Sequence, residues 1–230
     1  MRSFNNLKAG NIKAILFDLD GTLGDTVPLC IAAFKKAIEP LIGRNISEKE
    51  IIDTFGPSEE GTIMALVPHQ YEKGIRDYLY YYEALHERCP QPFDGIKPLL
   101  NTLKKNGIRL ALVTGKGKYS TKITLQRFGM LDLFETTETG HIHGPRKPEG
   151  ITAVLNHFND VKKSDFLYVG DAPSDILACR EVGIPIVSVA WANAADAKTL
   201  SAMSPDALFD SIDQFSDWIL SSIDKTITKS

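Results

Sequence analysis

Few cysteines, no long apolar run and no excess of charge of either sign characterise this 230-residue sequence. The three thiols, Cys30, Cys89 and Cys179, lie far apart, form no C-x-x-C pair and leave one unpaired in any disulfide scheme. That pattern argues against a disulfide framework and fits a reducing compartment. No stretch approaches the roughly 18 apolar residues of a membrane span. Residues 1–10, MRSFNNLKAG, lack the apolar centre of a signal peptide, so a cytoplasmic protein without a membrane partner is expected. The 26 basic and 29 acidic side chains sum to −3, and the Lys and Arg residues are spread rather than clustered, which gives no support to nucleic-acid binding.

What is present is an ordinary globular composition, 43% hydrophobic and 24% charged, on a chain long enough for a core with a modest insertion. Three short apolar runs stand out because each stops abruptly at polar residues. Ala14 to Phe17 ends at Asp18 and Asp20, Arg109 to Val113 at Thr114-Gly115, and Phe166 to Val169 at Gly170-Asp171. None alternates strictly, as expected of strands covered on both faces. Further strands are expected at Ile186 to Ala190 and Ala207 to Phe209.

Helical spacing fills the intervals. Leu29, Ala33, Phe34, Ala37 and Ile38 mark a helix ending at Pro40, and Ser47 with Glu50 forms a capping-box signature. Further helices are expected over Ser58 to Leu66, His69 to Glu87, a segment opened by Asp94-Gly95, Tyr119 to Phe128, Ile151 to Phe158, Ser174 to Val182, and around Ile212 to Ile219. Strands alternating with helices imply an α/β fold, a doubly wound parallel sheet whose sites lie beyond the strands' carboxyl ends. The strand-free stretch 27–90 reads as a small inserted helical cap domain, and 1–26 with 91–230 as the α/β core domain.

Four stretches therefore send polar groups to one rim: Asp18 with Asp20, Thr114, Lys147 with its loop GHIHGPRKPEG, and Asp171 with Asp175. Carboxylates two residues apart at a strand end repel one another unless a cation or a shared proton relieves them. Clustered carboxylates with neither thiol nor imidazole make a hard oxygen site suited to Mg²⁺, which commonly shares its coordination with a substrate phosphate.

These motifs, DLDGT at Asp18 to Thr22, Thr114 after LALV, Lys147 in RKPEG and GDAPSD from Gly170 to Asp175, resemble those of the haloacid dehalogenase-like hydrolases. The resemblance implies a Rossmann-like core, Asp18 as a nucleophile that becomes an aspartyl-phosphate, and Asp20 as its acid/base. It also implies Thr114 and Lys147 as catalytic contacts to the phosphoryl group, with Gly21, Thr22, Gly115 and Lys116 around the substrate. Mg²⁺ would be held by Asp18, the Asp20 main-chain carbonyl and Asp171, with Asp175 as a ligand or as an acceptor behind one.

An acid two places after the nucleophile favours C–O–P cleavage, since the leaving oxygen needs a proton. The expectation is a Mg²⁺-dependent phosphatase acting on a small phosphorylated metabolite, most similar to phosphoglycolate phosphatases. The alternatives are a sugar-phosphate mutase, set second because TVPLCIAAF lacks a histidine, and a phosphate-binding regulator with vestigial hydrolysis. Gly115 and Gly150 stand where many relatives carry Asn and Pro, a difference bearing on substrate and rate. The turn Phe55 to Gly61 reads equally as a substrate-facing loop and as a helix-capping connection. His141 and His143 read as surface or phosphate-edge residues, and Phe215 with Trp218 as core packing.

Overall fold

The computed structural model describes residues 12–227, with side chains to 223. The signal-peptide reading concerns residues 1–10, which lie outside the described residues. Six parallel strands form one sheet in the order β3-β2-β1-β4-β5-β6. They are β1 (Ala14–Phe17), β2 (Arg109–Val113), β3 (Thr136–Glu138), β4 (Phe166–Gly170), β5 (Ile186–Val189) and β6 (Ala207–Phe209). In the centre, Phe17 of β1 pairs with Leu112 on one side and Val169 on the other.

The chain builds outward from β1 to β3, then crosses back to build β4 to β6 on the opposite side. The crevice at such a reversal, beyond the carboxyl ends of β1 and β4, is where this architecture binds ligands. Alternate strand residues feed two apolar layers. Ile15, Phe17, Leu112 and Val169 join the layer packed by α1 (Val27–Ile42), α5 (Ile96–Lys105) and α10 (Ile212–Ile227). Leu16, Ala111, Val113 and Tyr168 face α7 (Lys147–His157) and α8 (Pro173–Val182).

Between β1 and α5 stands a helical block of α1, α2 (Glu48–Ile52), α3 (Glu59–Leu66) and α4 (Tyr71–Leu85). The Ser47–Glu50 capping box is formed in full. Phe34, Ile38, Ile51, Ile63 and Tyr78 of this block belong to the same apolar layer as Ile15 and Leu112, so the interior runs unbroken from sheet to block.

Two local expectations are corrected, and two elements appear that the sequence did not announce. The first helix does not stop at Pro40 but continues to Ile42, closed by left-handed Gly43 (φ 68°). A proline in the last turn forfeits one intrahelical bond without ending the turn already begun. The helix expected from Ile151 starts at Lys147, with Pro148 inside its first turn, where a proline's fixed φ and missing N–H are harmless. The segment after Leu133 contains edge strand β3, whose TTE sequence carries no apolar signal. The short α9 (Ala197–Ala202) is capped by Asp196, which accepts from Lys198 and Thr199 N–H.

Candidate active site

The acids of the first motif sit where β1 runs out. Asp18 is buried, its N–H donating to Val169 O of β4 at 2.9 Å. Gly21 follows in a left-handed conformation (φ +78°). A Cβ at Gly21 would overlap the Asp171 carboxylate, so the bare backbone is what lets the ends of β1 and β4 converge. Thr22 is fully buried and its hydroxyl donates to Asp171 Oδ1 at 3.0 Å. The Trp191 indole N–H donates to Thr22 O at 3.0 Å, bracing the turn from the far side.

Lys147, placed by the first turn of α7, reaches Asp18 Oδ2 at 2.9 Å and Asp175 Oδ1 at 2.5 Å. Asp175 is wholly buried. Its Oδ1 also accepts from Tyr168 O–H at 2.9 Å and its Oδ2 from Ala172 N–H at 3.0 Å, so both oxygens are engaged by donors. Asp175 is thus placed as an anchor for Lys147. Burial disfavours the Lys147 ammonium, but Asp175 and Asp18 outweigh it and hold its pKa above the ordinary value.

Burial pushes the Asp18 carboxyl up to about 6, against the pull of Lys147 and with the repulsion of Asp175 and Asp20. Asp171 is raised well above the usual range by burial, then by Asp18 and Asp175. The carboxylates of Asp18, Asp171 and Asp175 offer oxygens within 4.8 Å of one another, and Asp18 Oδ1 is buried with no hydrogen-bond partner. An orphaned carboxylate oxygen inside a crowd of acids is what a missing cation leaves behind. The all-oxygen donor set fits Mg²⁺, with Asp18 and Asp171 free to ligate.

Thr114, at the end of β2, is buried and its hydroxyl accepts from Lys116 N–H at 3.2 Å. Asp20 Oδ1 accepts from the Thr26 hydroxyl and from Lys116 Nζ at 3.2 Å. Lys116, placed at the rim by the sequence, is buried with only 1% of its side chain exposed. It also meets Glu59 Oε1 at 3.3 Å and Cys30 Sγ at 2.9 Å, and lies 4.5 Å from the Tyr82 ring centroid. Burial opposes its charge, yet Asp20, Cys30, Tyr82 and Glu59 together raise its pKa well above the ordinary value.

Glu59, at the start of α3, was not singled out by the sequence. It accepts from Gly117 N–H at the start of α6 (Lys118–Arg127), from Ser120 O–H at 2.5 Å and from Tyr78 O–H at 3.3 Å. Gly117 has to be glycine for this approach, because a Cβ there would meet the Glu59 carboxylate at 2.5 Å.

A cavity of about 670 Å³ opens over these groups, lined by Asp18, Asp20, Thr114, Gly115, Lys147 and Asp171 among others. In the turn after α2, Phe55, Gly56 and Pro57 line the cavity, and Ser58 stands as the N-cap of α3. His141 and His143 are exposed, with rings 5.1 Å apart.

The sequence profile described as haloacid dehalogenase-like hydrolase matches residues 15–189. A PpaX relative from Caldanaerobacter subterraneus is 33% identical over 183 residues, 78% of this chain and 82% of its own. The pyrophosphatase PpaX of Halalkalibacterium halodurans is 28% identical over 79% of this chain and 85% of its own. Among solved structures, a haloacid dehalogenase-like family hydrolase from Streptococcus pneumoniae superposes with a TM-score of 0.72 at 24% identity, covering 90% of this chain and 98% of that one. CbbY from Rhodobacter sphaeroides, in complex with phosphate, gives 0.70 at 21%, covering 87% and 94%.

The chain belongs to the haloacid dehalogenase-like hydrolase family. Within that family it is an enzyme of the phosphatase group.

Proposed function

We propose that the protein is a Mg²⁺-dependent phosphatase that transfers the phosphoryl group of a small phosphorylated metabolite to Asp18 and then to water. The observation that supports the reading is the buried Asp18 carboxylate at the reversal of the sheet, whose Oδ1 has no hydrogen-bond partner among the described residues, whose Oδ2 lies 2.9 Å from Lys147 Nζ, and which offers an oxygen within 4.8 Å of one from Asp171.

In the first step a carboxylate oxygen of Asp18 attacks phosphorus. The bond to the ester oxygen breaks as Asp20 delivers its proton to that oxygen, leaving an aspartyl-phosphate and a free alcohol. In the second step Asp20, now ionised, takes a proton from water as the water oxygen attacks phosphorus, which releases inorganic phosphate and restores Asp18. Thr114 donates its hydroxyl to the phosphoryl oxygens, and Lys147 offsets the negative charge shared between Asp18 and the phosphoryl group. Asp18, Asp171 and the Asp20 carbonyl would hold Mg²⁺, whose charge stabilises the phosphoryl oxygens. Phosphate-monoester hydrolysis can require acceleration of up to about 10²¹, whereas removing one preorganised donor typically costs about 10²–10³, so no single group suffices.

Residues 27–90 act in this reading as a cap that closes over the phosphate and excludes water. The test is turnover of a generic aryl phosphate. Asp18→Asn is expected to lower kcat by at least about 10³. EDTA should abolish activity and added Mg²⁺ restore it. Undiminished turnover in the Asn variant would overturn the mechanism.

A further inference from the structure

The cavity is lined by two unlike sets of side chains. Its lining includes the acids, Thr114 and Lys147 on the one hand, and the apolar Val27, Phe55, Pro57, Pro145 and Leu177 on the other. Phe55 and Leu177 are left 42% and 58% exposed, large apolar side chains turned to an opening and not to the core. The Phe55 ring lies 6.0 Å from buried Phe34, whose ring is tilted at 35° against Tyr78 with centroids 4.4 Å apart, so Phe55 has an aromatic backing.

Two of the three cations lining the same cavity are closely paired, and the third, Arg146, is only loosely so. Lys147 is tied to Asp18 and Asp175, Lys116 to Asp20 and Glu59, and Arg146 lies 4.0 Å from Glu138. Glu149 and Glu181 also line it, and both are exposed. A diphosphate brings a second anionic phosphoryl group, which would need its own cationic donors to replace lost hydration. Among the lining groups it would find one loosely paired cation, Arg146, against the apolar Phe55 and Leu177 and the carboxylates of Glu149 and Glu181.

We infer that the substrate is an organic phosphate monoester whose leaving group is apolar and of substantial size, seated against Phe55 and Leu177, and that inorganic pyrophosphate and small anionic monoesters are disfavoured. This inference rests on the phosphatase reading above and adds the chemistry of the leaving group. It separates the chain from the pyrophosphatase activity for which its curated relatives are named. The volume fits such an ester, since about 670 Å³ lies within the range of sites that enclose organic ligands.

The experiment is kcat/KM with Mg²⁺ for a series of straight-chain alkyl phosphates from methyl to octyl, beside pyrophosphate and phosphoglycolate. The alkyl series keeps leaving-group acidity nearly constant while apolar area grows. We expect kcat/KM to rise about threefold per methylene over the first few carbons, and pyrophosphate to fall at least tenfold below hexyl phosphate. Phe55→Ala and Leu177→Ala should each flatten that rise, lowering the hexyl value more than the methyl value. Both side chains are partly exposed, so neither change threatens folding. A flat series, or pyrophosphate or phosphoglycolate hydrolysed faster than hexyl phosphate, overturns the inference and leaves the phosphatase reading standing. Absence of metal-dependent turnover with every compound overturns the phosphatase reading itself.

Discussion

Lys116 and Glu59 are buried charges that compensate one another across the boundary between the sheet core and the helical block, 3.3 Å apart. Glu59 gathers Gly117 N–H and Ser120 O–H from the core side and Tyr78 O–H from its own, and Lys116 passes the contact on to Asp20. Glu59→Gln keeps the shape and removes the charge, leaving Lys116 with Asp20 as its carboxylate partner. Its expected cost is about 2 kcal/mol, a fall of roughly 4–8 °C in Tm by thermal denaturation. A fall in kcat larger than any change in KM should accompany it, because Asp20 loses the neighbour that fixes its ammonium partner. The motif acids were legible because strand ends advertise them, a run of apolar residues stopping at a carboxylate being an unusual event. Glu59 was not, because an acid in the first turn of a helix reads as an ordinary companion of the helix dipole.

The contact between α4 and α6 shows how an element takes its place through a single hydroxyl. Thr124 of α6, fully buried, meets Tyr82 OH at 2.7 Å and His86 Nε2 at 3.1 Å. His86 itself is fully buried between the Tyr82 and Phe128 rings, at 5.5 Å from each. Burial holds its imidazole below the ordinary value of 6.5. The unfolded chain therefore takes up a proton that the folded chain resists. Stability from this group is complete above pH 6.5 and is lost as the pH falls below that value. Between about pH 7.5 and about pH 5.5, Tm should fall further in the wild-type protein than in His86→Gln, and equal slopes in the two proteins would refute the assignment. Elements marked by an apolar run or a helical period were legible, β2 and β6 to the residue. Those without one were not: β3 has no apolar residue, and the start of α7 was hidden because Pro148 and Gly150 read as loop residues.

The molecule as a whole is less divided than its sequence pattern suggests. The switch from strand runs to helical spacing marked residues 27–90 as a separate unit, yet Phe34, Ile38 and Tyr78 share one apolar layer with Ile15 and Leu112. Periodicity along the chain shows which face of an element is apolar. It does not show that two such faces, distant in sequence, have closed on each other. The sheet's order was accessible only as a class, because pairing between strands about 95 residues apart, as for Ile15 and Leu110, leaves no local trace.

The indole of Trp191 donates to the carbonyl of Thr22, whose hydroxyl in turn donates to Asp171, so a chromophore is linked through two hydrogen bonds to a carboxylate of the candidate site. The chain's other tryptophan, Trp218, lies in α10 against Phe209 and Phe215. If the site binds Mg²⁺ and phosphate as proposed, this link makes Trp191 an optical gauge of occupancy. In Trp218→Phe the emission should shift when Mg²⁺ and phosphate are added together, in Trp191→Phe it should stay constant, and the titration would report affinity without a turnover assay.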